Sequence, residues 1–467
     1  MKPDNIIRTT KSVCPLCLET VPATVLEKDG RVFLVKTCPR HGASEVLLSE
    51  TAGLYKELEG FFFAVMNPSY RIREYEMWVT MRCNTSCPIC HLGDSNRIDI
   101  PDPGLDKIEE FITRHNQPAY ILSGGEPTCR KDLPDIIRLF KKHGKHISLH
   151  TNGLVLGNKD YIRSLQDAGL DRINLQFDGF APDAYETFRG KNILDKKQLA
   201  LKNLEDLGLP TDLNITIARG VNEPAIMDSV RFAVQHPFIS SVNFFTICYL
   251  GETARWPLQY FLMPDTIGDI LEKETEGRIS KRNIILFQKL HLAIKSLRSE
   301  RYCLYSQIFI LFRKRDGTYD PINRYLNLER TDRLLKLYQE MAPRHPVLAR
   351  IILILGLPFF IMRWSTLVIL KEILWTGFSF MMNEDYALKT SPFLYLNFNT
   401  SCDPYKIDYS FVDTCQDEII FYDRQQQELV NQGVDGLRAI DFERRYRNTA
   451  SQETICIDRK NGNVKGE

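Results

Sequence analysis

"RCNTSCPICHLGD", residues 82–94, decides how the rest of the chain is read. It places Cys83, Cys87 and Cys90 in a C-x3-C-x2-C spacing. A closed tetrahedral metal site takes four ligands, and His91 is the nearest further candidate. His91 adjoins Cys90, and adjacent residues rarely reach one small site in good geometry. The loop therefore reads as three thiolates with a fourth position open. A 4Fe–4S cluster normally takes four thiolates, so three leave one iron free for a small chelating molecule.

Working outward, the loop follows the apolar strand "YEMWVT" (75–80), the first of six strand-like segments that alternate with amphipathic helical patterns. The others are "AYILSGGEP" (119–127), "HISLHTNG" (146–153), "RINLQFDG" (172–179), "DLNITIARGVNE" (212–223) and "SSVNFFTICYLG" (240–251). Alternation of this kind predicts a parallel α/β sheet, here a partial (β/α)6 barrel of TIM type over residues 75–260. Chemistry in such barrels collects at the C-terminal ends of the strands. Those ends carry Ser123, Gly124, Gly125 and Glu126, then Asn152, then Gln176 and Asp178, then Arg219 and Asn222.

Upstream, "CPLC" and "CPRHG" set Cys14 and Cys17 on one turn and Cys38 and His41 on another, with the alternating "RVFLVKT" between them. Two such knuckles can close a tetrahedron around one zinc or one mononuclear iron. Residues 1–50 are expected to form this separate metal-binding unit.

The cysteine loop, "SGGEP", "TNG", "QFDG" and "ARGVNE", in that order at strand ends, resemble the radical S-adenosylmethionine (SAM) enzymes. The resemblance implies a 4Fe–4S cluster held by Cys83, Cys87 and Cys90, with SAM chelating the open iron. It also implies reductive cleavage of SAM to a 5′-deoxyadenosyl radical that takes hydrogen from a substrate. Gly124 and Gly125 would approach the SAM amino group, with Glu126 near it. Gln176 and Asp178 would reach the ribose or the substrate, and Arg219 could pair with a carboxylate such as that of SAM. An electron donor of ferredoxin or flavodoxin type is implied as well. With the N-terminal knuckle, the pattern is similar to the group around tetraether lipid synthase and the related pterin methylases. The chain departs from those relatives in two ways. No cysteine lies between the knuckle and the cluster loop, and Cys303, Cys402, Cys415 and Cys456 are widely spaced, so auxiliary clusters are not expected. Cys129 and Cys248 read as core thiols.

Beyond residue 260 the pattern is weaker. Segments 283–313 and 321–341 read as helical, and residues 261–467 as a mainly helical substrate-binding domain with apolar helices at 347–382. "IILILGLPFFIM" (351–362) is shorter than the ~20 residues that a membrane span requires. Such helices suit a buried core, or peripheral contact with a membrane. On that ground a lipid alkyl chain ranks first as substrate, a pterin-like small molecule second and a peptide third. A catalytically dead metal scaffold is a further alternative, opposed by the intact cysteine and glycine loops.

The bulk properties agree with a cytoplasmic enzyme. Lysine plus arginine (60) balances aspartate plus glutamate (59) over 467 residues, so no field favours nucleic acid. Twelve cysteines behind an N-terminus that lacks an apolar signal region fit a reducing compartment.

Overall fold

The computed structural model describes residues 5–92, 101–314, 316–361 and 392–434, apart from 401, 413, 416, 417, 424 and 425. The chain opens with a four-stranded antiparallel sheet: β1 (Ile6–Val13), β2 (Thr20–Lys28), β3 (Arg31–Cys38) and β4 (Gly42–Ser49). Between β2 and β3, Asp29 and Gly30 both take positive φ (52° and 73°), the two-residue turn whose twist matches a hairpin. Helix α1 (Ala52–Val65) then leads into the larger body.

All six strands of the sequence reading are present: β5 (Glu74–Thr80), β6 (Ala119–Gly124), β7 (His146–Thr151), β8 (Arg172–Gln176), β9 (Thr211–Ile217) and β10 (Ile239–Thr246). They lie side by side in chain order and are parallel throughout. Between and after them come α2 (Leu105–His115), α3 (Leu133–Lys142), α4 (Lys159–Asp167), α5 (Pro182–Arg189), α6 (Leu194–Asp206) and α7 (Ala225–Gln235). The outward side chains, among them Met77, Leu122, Leu149, Ile173, Leu175, Leu213 and Ile215, join one continuous core with the helices. The architecture is α/β, a partial barrel of TIM type preceded by a small metal-binding sheet.

The region beyond 260 contains helices α8 (Pro264–Glu274), α9 (Lys281–Leu297), α10 (Leu328–Met341) and α11 (Pro346–Ile361), and also five strands. These are β11 (Ser306–Arg313), β12 (Tyr319–Pro321), β13 (Phe393–Asn399), β14 (Glu418–Asp423) and β15 (Glu428–Val434). They extend the barrel sheet, whose order is β12-β11-β13-β10-β9-β8-β7-β6-β5-β14-β15. β13 adds parallel to β10 and β14 adds parallel to β5, so eight consecutive strands are parallel. The expectation of helix over 283–313 is corrected here. The helix stops at Leu297, Ser299 takes a left-handed turn (φ 54°), and "SQIFILFR" pairs antiparallel with β13. Its short apolar run fits either period, and the pairing with a distant strand decides it. Likewise α10 starts only at Leu328, where the Asn327 side chain accepts from the Arg330 N–H. Of the apolar stretch 347–382, only the part within α11 is described; the rest lies outside the described residues. Among the described residues no helix is long and apolar enough to cross a membrane.

One buried cation ties α1, α9 and α10 together. Lys289, fully buried, donates to Glu57 Oε1 at 2.9 Å and Asp332 Oδ1 at 3.0 Å, above the Phe61 ring. Replacing Lys289 with Met removes a buried bond from each carboxylate, leaving Glu57 to Arg282 and Asp332 to Lys336, and is expected to lower the unfolding free energy by on the order of 2 kcal/mol. Arg138→Ala, which breaks an exposed pair with Asp135, should change it by less than ~0.5 kcal/mol. Urea unfolding of both variants checks the contrast, and equal effects would show that the buried cation is dispensable.

Candidate active site and ribbon metal centre

The strand alternation that builds the outer core also builds the lumen. Along β5, Tyr75, Met77 and Val79 face the helices, and Glu76, Trp78 and Thr80 alternate with them. The equivalent inward positions on β7–β9 are His150, Asn174, Gln176, Asn214 and Thr216. The result is a cavity of about 700 Å³ over the C-terminal strand ends, lined by polar side chains and by the cysteine loop.

Cys83, Cys87 and Cys90 all border this cavity. The loop is held internally and from outside. Cys90 N–H donates to the Cys87 carbonyl at 3.0 Å, and Glu252 N–H donates to the Cys90 carbonyl at 2.9 Å. Thr85 Oγ lies 3.2 Å from Cys83 Sγ and 3.5 Å from Cys87 Sγ. Burial pushes the Cys90 thiol up to about 12 and moves Cys83 in the same direction. Thiols held this way need a cationic centre to become thiolates at neutral pH, as an iron–sulfur cluster provides. The donor set fits such a cluster: three soft ligands on one short loop, bordering a cavity with room for a chelating cosubstrate.

"SGGEP" sits beside this loop, and its glycines have a visible steric cause. A Cβ on Gly124 (φ +124°) would lie 2.1 Å from the Thr80 carbonyl oxygen. A Cβ on Gly125 would lie 2.5 Å from the Met81 and Arg82 carbonyl oxygens. The glycines thus allow the β6 loop to press against the end of β5, where Gly125 and Glu126 donate N–H bonds of 2.8 Å to Thr80 and Arg82. Ser123, Gly124, Gly125 and Glu126 all border the cavity. The Glu126 carboxylate is nonetheless engaged by the protein. It accepts from Thr151 Oγ1 (2.7 Å), Asn152 N (2.7 Å), Thr128 N (3.2 Å) and Thr128 Oγ1 (2.5 Å). Asn152 in turn donates to Asn84 Oδ1 at 2.7 Å, which links the β7 end to the cysteine loop.

Three of the expected site residues stand elsewhere. Asp178 is fully buried behind the wall, where Arg189 grips it with bonds of 2.7 and 2.8 Å and Gln176 donates to it at 2.6 Å. Arg219 is exposed, its Nε 3.3 Å from the Phe261 carbonyl, and it does not border the cavity. Asn222 is spent on backbone, donating to Asp178 O (3.1 Å) and Thr216 O (2.8 Å) and accepting from Ala218 N (3.1 Å). The physical reason is common to all three. A strand end fixes where the chain is, while the turn that follows fixes where the side chain goes: after β8 Asp178 turns onto Arg189, and after β9 residues 218–222 turn away from the lumen.

Two residues absent from the sequence reading shape the site instead, Arg189 on the wall and Lys197 buried behind it. Arg189 lies on the cavity wall beside Cys87, and the buried Asp178 carboxylate keeps its charge fixed. Lys197, fully buried, donates to Gln176 Oε1 (2.6 Å) and Gln176 O (2.8 Å) and also bonds the Asn152 carbonyl. Burial pulls its pKa down to about 7. The signal was available: Lys197 sits on the apolar stripe of α6 with Leu194, Leu201 and Leu204. The cysteines also need revision. Cys248, expected in the core, borders the cavity, as does Cys402, while Cys303 and Cys415 are buried and Cys129 is half-buried. Cys456 lies outside the described residues.

In the N-terminal sheet, Cys14, Cys17, Cys38 and His41 bring their ligand atoms within 4.8 Å of one another. Cys14 and Cys38 Sγ each lie 3.5 Å from His41 Nδ1, and Cys17 Sγ lies 3.8 Å from Cys38 Sγ. A tetrahedron with Zn–S bonds of about 2.3 Å has sulfur–sulfur edges of about 3.8 Å, so the group fits one zinc or iron. Against burial, N–H groups of Arg40 and His41 and the His41 ring hold the Cys38 thiol down to about 6, which favours the thiolate a metal needs.

Comparison with known proteins agrees with this geometry. The radical SAM superfamily model matches residues 78–233, and the model of the HMPTM N-terminal zinc ribbon domain matches residues 6–50. The 7,8-dihydro-6-hydroxymethylpterin dimethyltransferase of Methanocaldococcus jannaschii is 31% identical over 363 residues, covering 69% of this chain and 71% of that protein. This chain is a radical SAM enzyme. It belongs to the pterin-methylase-like group with an N-terminal ribbon, and the family's cofactors are a 4Fe–4S cluster and SAM. A probable GTP 3′,8-cyclase of Pyrococcus horikoshii is 36% identical over 160 residues, 33% of this chain and half of the cyclase's length. Among solved structures, Streptococcus suis SuiB bound to its precursor peptide aligns over 57% of this chain and 69% of its own. The identity is 12% and the TM-score 0.39.

The two metal sites should be separable. Cys87→Ala is expected to lose the cluster iron and keep the ribbon metal, and Cys14→Ser to do the reverse. Metal and sulfide analysis of both proteins after anaerobic reconstitution checks this; loss of both metals in either variant would make the two sites one folding unit.

Gly124→Ala should cost about 2–4 kcal/mol through its collision with the Thr80 carbonyl and its φ. Gly144→Ala, at φ +67° in open space, should cost only about 1 kcal/mol. Denaturant melts of the two variants decide whether the contact with β5 sets the difference.

Proposed function

We propose that this chain is a radical SAM enzyme that modifies a carbon of a pterin-like heterocycle, most simply by methylation. The observation that carries the reading is the composition of the lumen. Asn174, Gln176, Asn214, Thr216, Thr246 and His150 line it. Gln176, Asn214 and Thr246 are partly engaged by the protein, and an alkyl chain would leave the remaining polar capacity, such as the Asn174 amide and the Asn214 NH2, unpaired at roughly 1–3 kcal/mol per group. A flat, polar heterocycle answers them. The relative from M. jannaschii supports this reading, since its name carries a dihydropterin substrate and a dimethyl transfer. The ranking of a lipid alkyl chain first, with peripheral membrane contact, gives way on both grounds.

In this proposal Cys83, Cys87 and Cys90 ligate the cluster. Ser123, Gly124, Gly125, Asn152 and Gln176 border the SAM half of the cavity, and Glu126 and Asp178 hold the loops that do so. When bound, the reduced cluster and SAM supply hydrogen-atom abstraction at an unactivated carbon, with electrons from a ferredoxin or flavodoxin. Arg189 keeps a fixed positive charge beside the cysteine loop. Lys197 fastens the β7 and β8 ends, so that polar wall groups are in place before ligand arrives.

The test is anaerobic. The reconstituted, reduced enzyme with SAM is assayed for 5′-deoxyadenosine alone, with 7,8-dihydro-6-hydroxymethylpterin, and with membrane lipid extract, and the products are examined for added methyl groups. Release stimulated several-fold by the dihydropterin and not by lipid is the expected result. Stimulation by lipid alone would overturn the reading.

A further inference from the structure

We infer that Glu76 is the anchor of the substrate subsite and that it recognises a fused 2-amino-4-oxopyrimidine ring. The inference rests on the pterin reading above and says which group of this chain reads which edge of the ligand.

Three carboxylates stand around the cavity, and two have other occupations. Glu126 is saturated by Thr128, Thr151 and Asn152. Glu252 lies in an exposed turn that caps the cysteine loop. Glu76 is half-buried in the middle of β5, several residues below the loop, and it borders the cavity. Its Oε1 accepts from Trp78 Nε1 at 3.1 Å, and among the described residues no other group bonds it. The titratable groups that face it are His91 and His150, and no lysine or arginine bonds it among the described residues, so its carboxylate is available to a ligand in the cavity.

The groups that share the cavity with it are suited to one ligand class. The Asn174 amide faces the cavity with no hydrogen-bond partner among the described residues. The Asn214 Oδ1 is taken by Asn243 at 2.7 Å, which in turn accepts from Asn397 at 2.6 Å, so this chain of amides holds Asn214 and leaves its own NH2 to donate. His150 and His91 border the same space, and burial lowers the His150 pKa against the opposing pull of Glu76 and Asp212. The cavity therefore offers one available carboxylate acceptor together with amide donors. Pterin and guanine share a 2-amino-4-oxopyrimidine edge, with adjacent N–H and NH2 donors beside a carbonyl. A carboxylate accepts both donors at once, and amide NH2 groups answer the carbonyl.

The experiment is anaerobic calorimetric titration of the reconstituted, SAM-loaded enzyme with two ligands. One is 7,8-dihydro-6-hydroxymethylpterin; the other is its lumazine counterpart, in which an oxo group replaces the 2-amino group. The wild-type chain should bind the pterin at least about 30-fold more tightly than the lumazine. Glu76→Gln, with its iron content checked, should bring the two affinities within about threefold of each other. If the wild-type chain binds both ligands equally, Glu76 does not read this edge, whatever the variant does. If the wild-type chain discriminates and Glu76→Gln discriminates as well, the subsite lies elsewhere and the pterin reading stands. If neither ligand binds the wild-type chain, the pterin reading falls and this assignment falls with it.

Discussion

Two backbone hydrogen bonds, from Gly125 N–H to the Thr80 carbonyl and from Glu126 N–H to the Arg82 carbonyl, join the glycine loop to the root of the cysteine loop. Only glycine at 124 and 125 allows the approach, because a Cβ at either position would enter a carbonyl oxygen. Everything nearer the chemistry is built on this joint. It places the Glu126 carboxylate where it collects donors from Thr128, Thr151 and Asn152. Asn152 then reaches Asn84 within the cysteine loop, so three strand ends behave as one rigid rim. Each bond contributes about 1 kcal/mol net, but removing the shared carboxylate would strand several buried donors together.

The sheet below the rim reconciles two solvents. Its outer face is packed by helices with apolar side chains, and its inner face carries amides and hydroxyls that point into the cavity. The amide chain Asn397–Asn243–Asn214 crosses three neighbouring parallel strands in register, so each side chain is oriented by the next. A lumen of this kind selects ligands by hydrogen-bond pattern, since groups already fixed by their neighbours lose little entropy on binding.

The parts of this arrangement that could be read from sequence were local. Cys83, Cys87 and Cys90 announce their site by spacing, as do Cys14, Cys17, Cys38 and His41, and each of β5–β10 carries its own turn and helix signals. The parts that could not be read depend on contacts between distant residues. "SQIFILFR" resembles a helix until β13 lies beside it, and Cys402 looks isolated until β13 pairs with β10. Asp178 and Arg219 sit at strand ends like true wall residues, yet the turn geometry sends one behind the wall and the other into solvent. The period-two polar pattern of β5, with Glu76 and Trp78 alternating with buried Met77 and Val79, was present throughout. It marks a lumen only once the sheet is known to curve.

The addition of β13 beside β10 and β14 beside β5 has a bearing on how the chain is made. During synthesis, residues 74–246 emerge as a six-stranded sheet whose two flanks are bare, with unpaired N–H and C=O groups along β5 and β10. Both flanks are covered only when residues 393–423 appear, some 150 residues after β10 and more than 300 after β5. At about 5–20 residues per second the β10 flank stays open for roughly 8–30 seconds. That interval is a window for strand pairing between nascent chains, and it makes the late segment a guardian of solubility as well as a wall of the site.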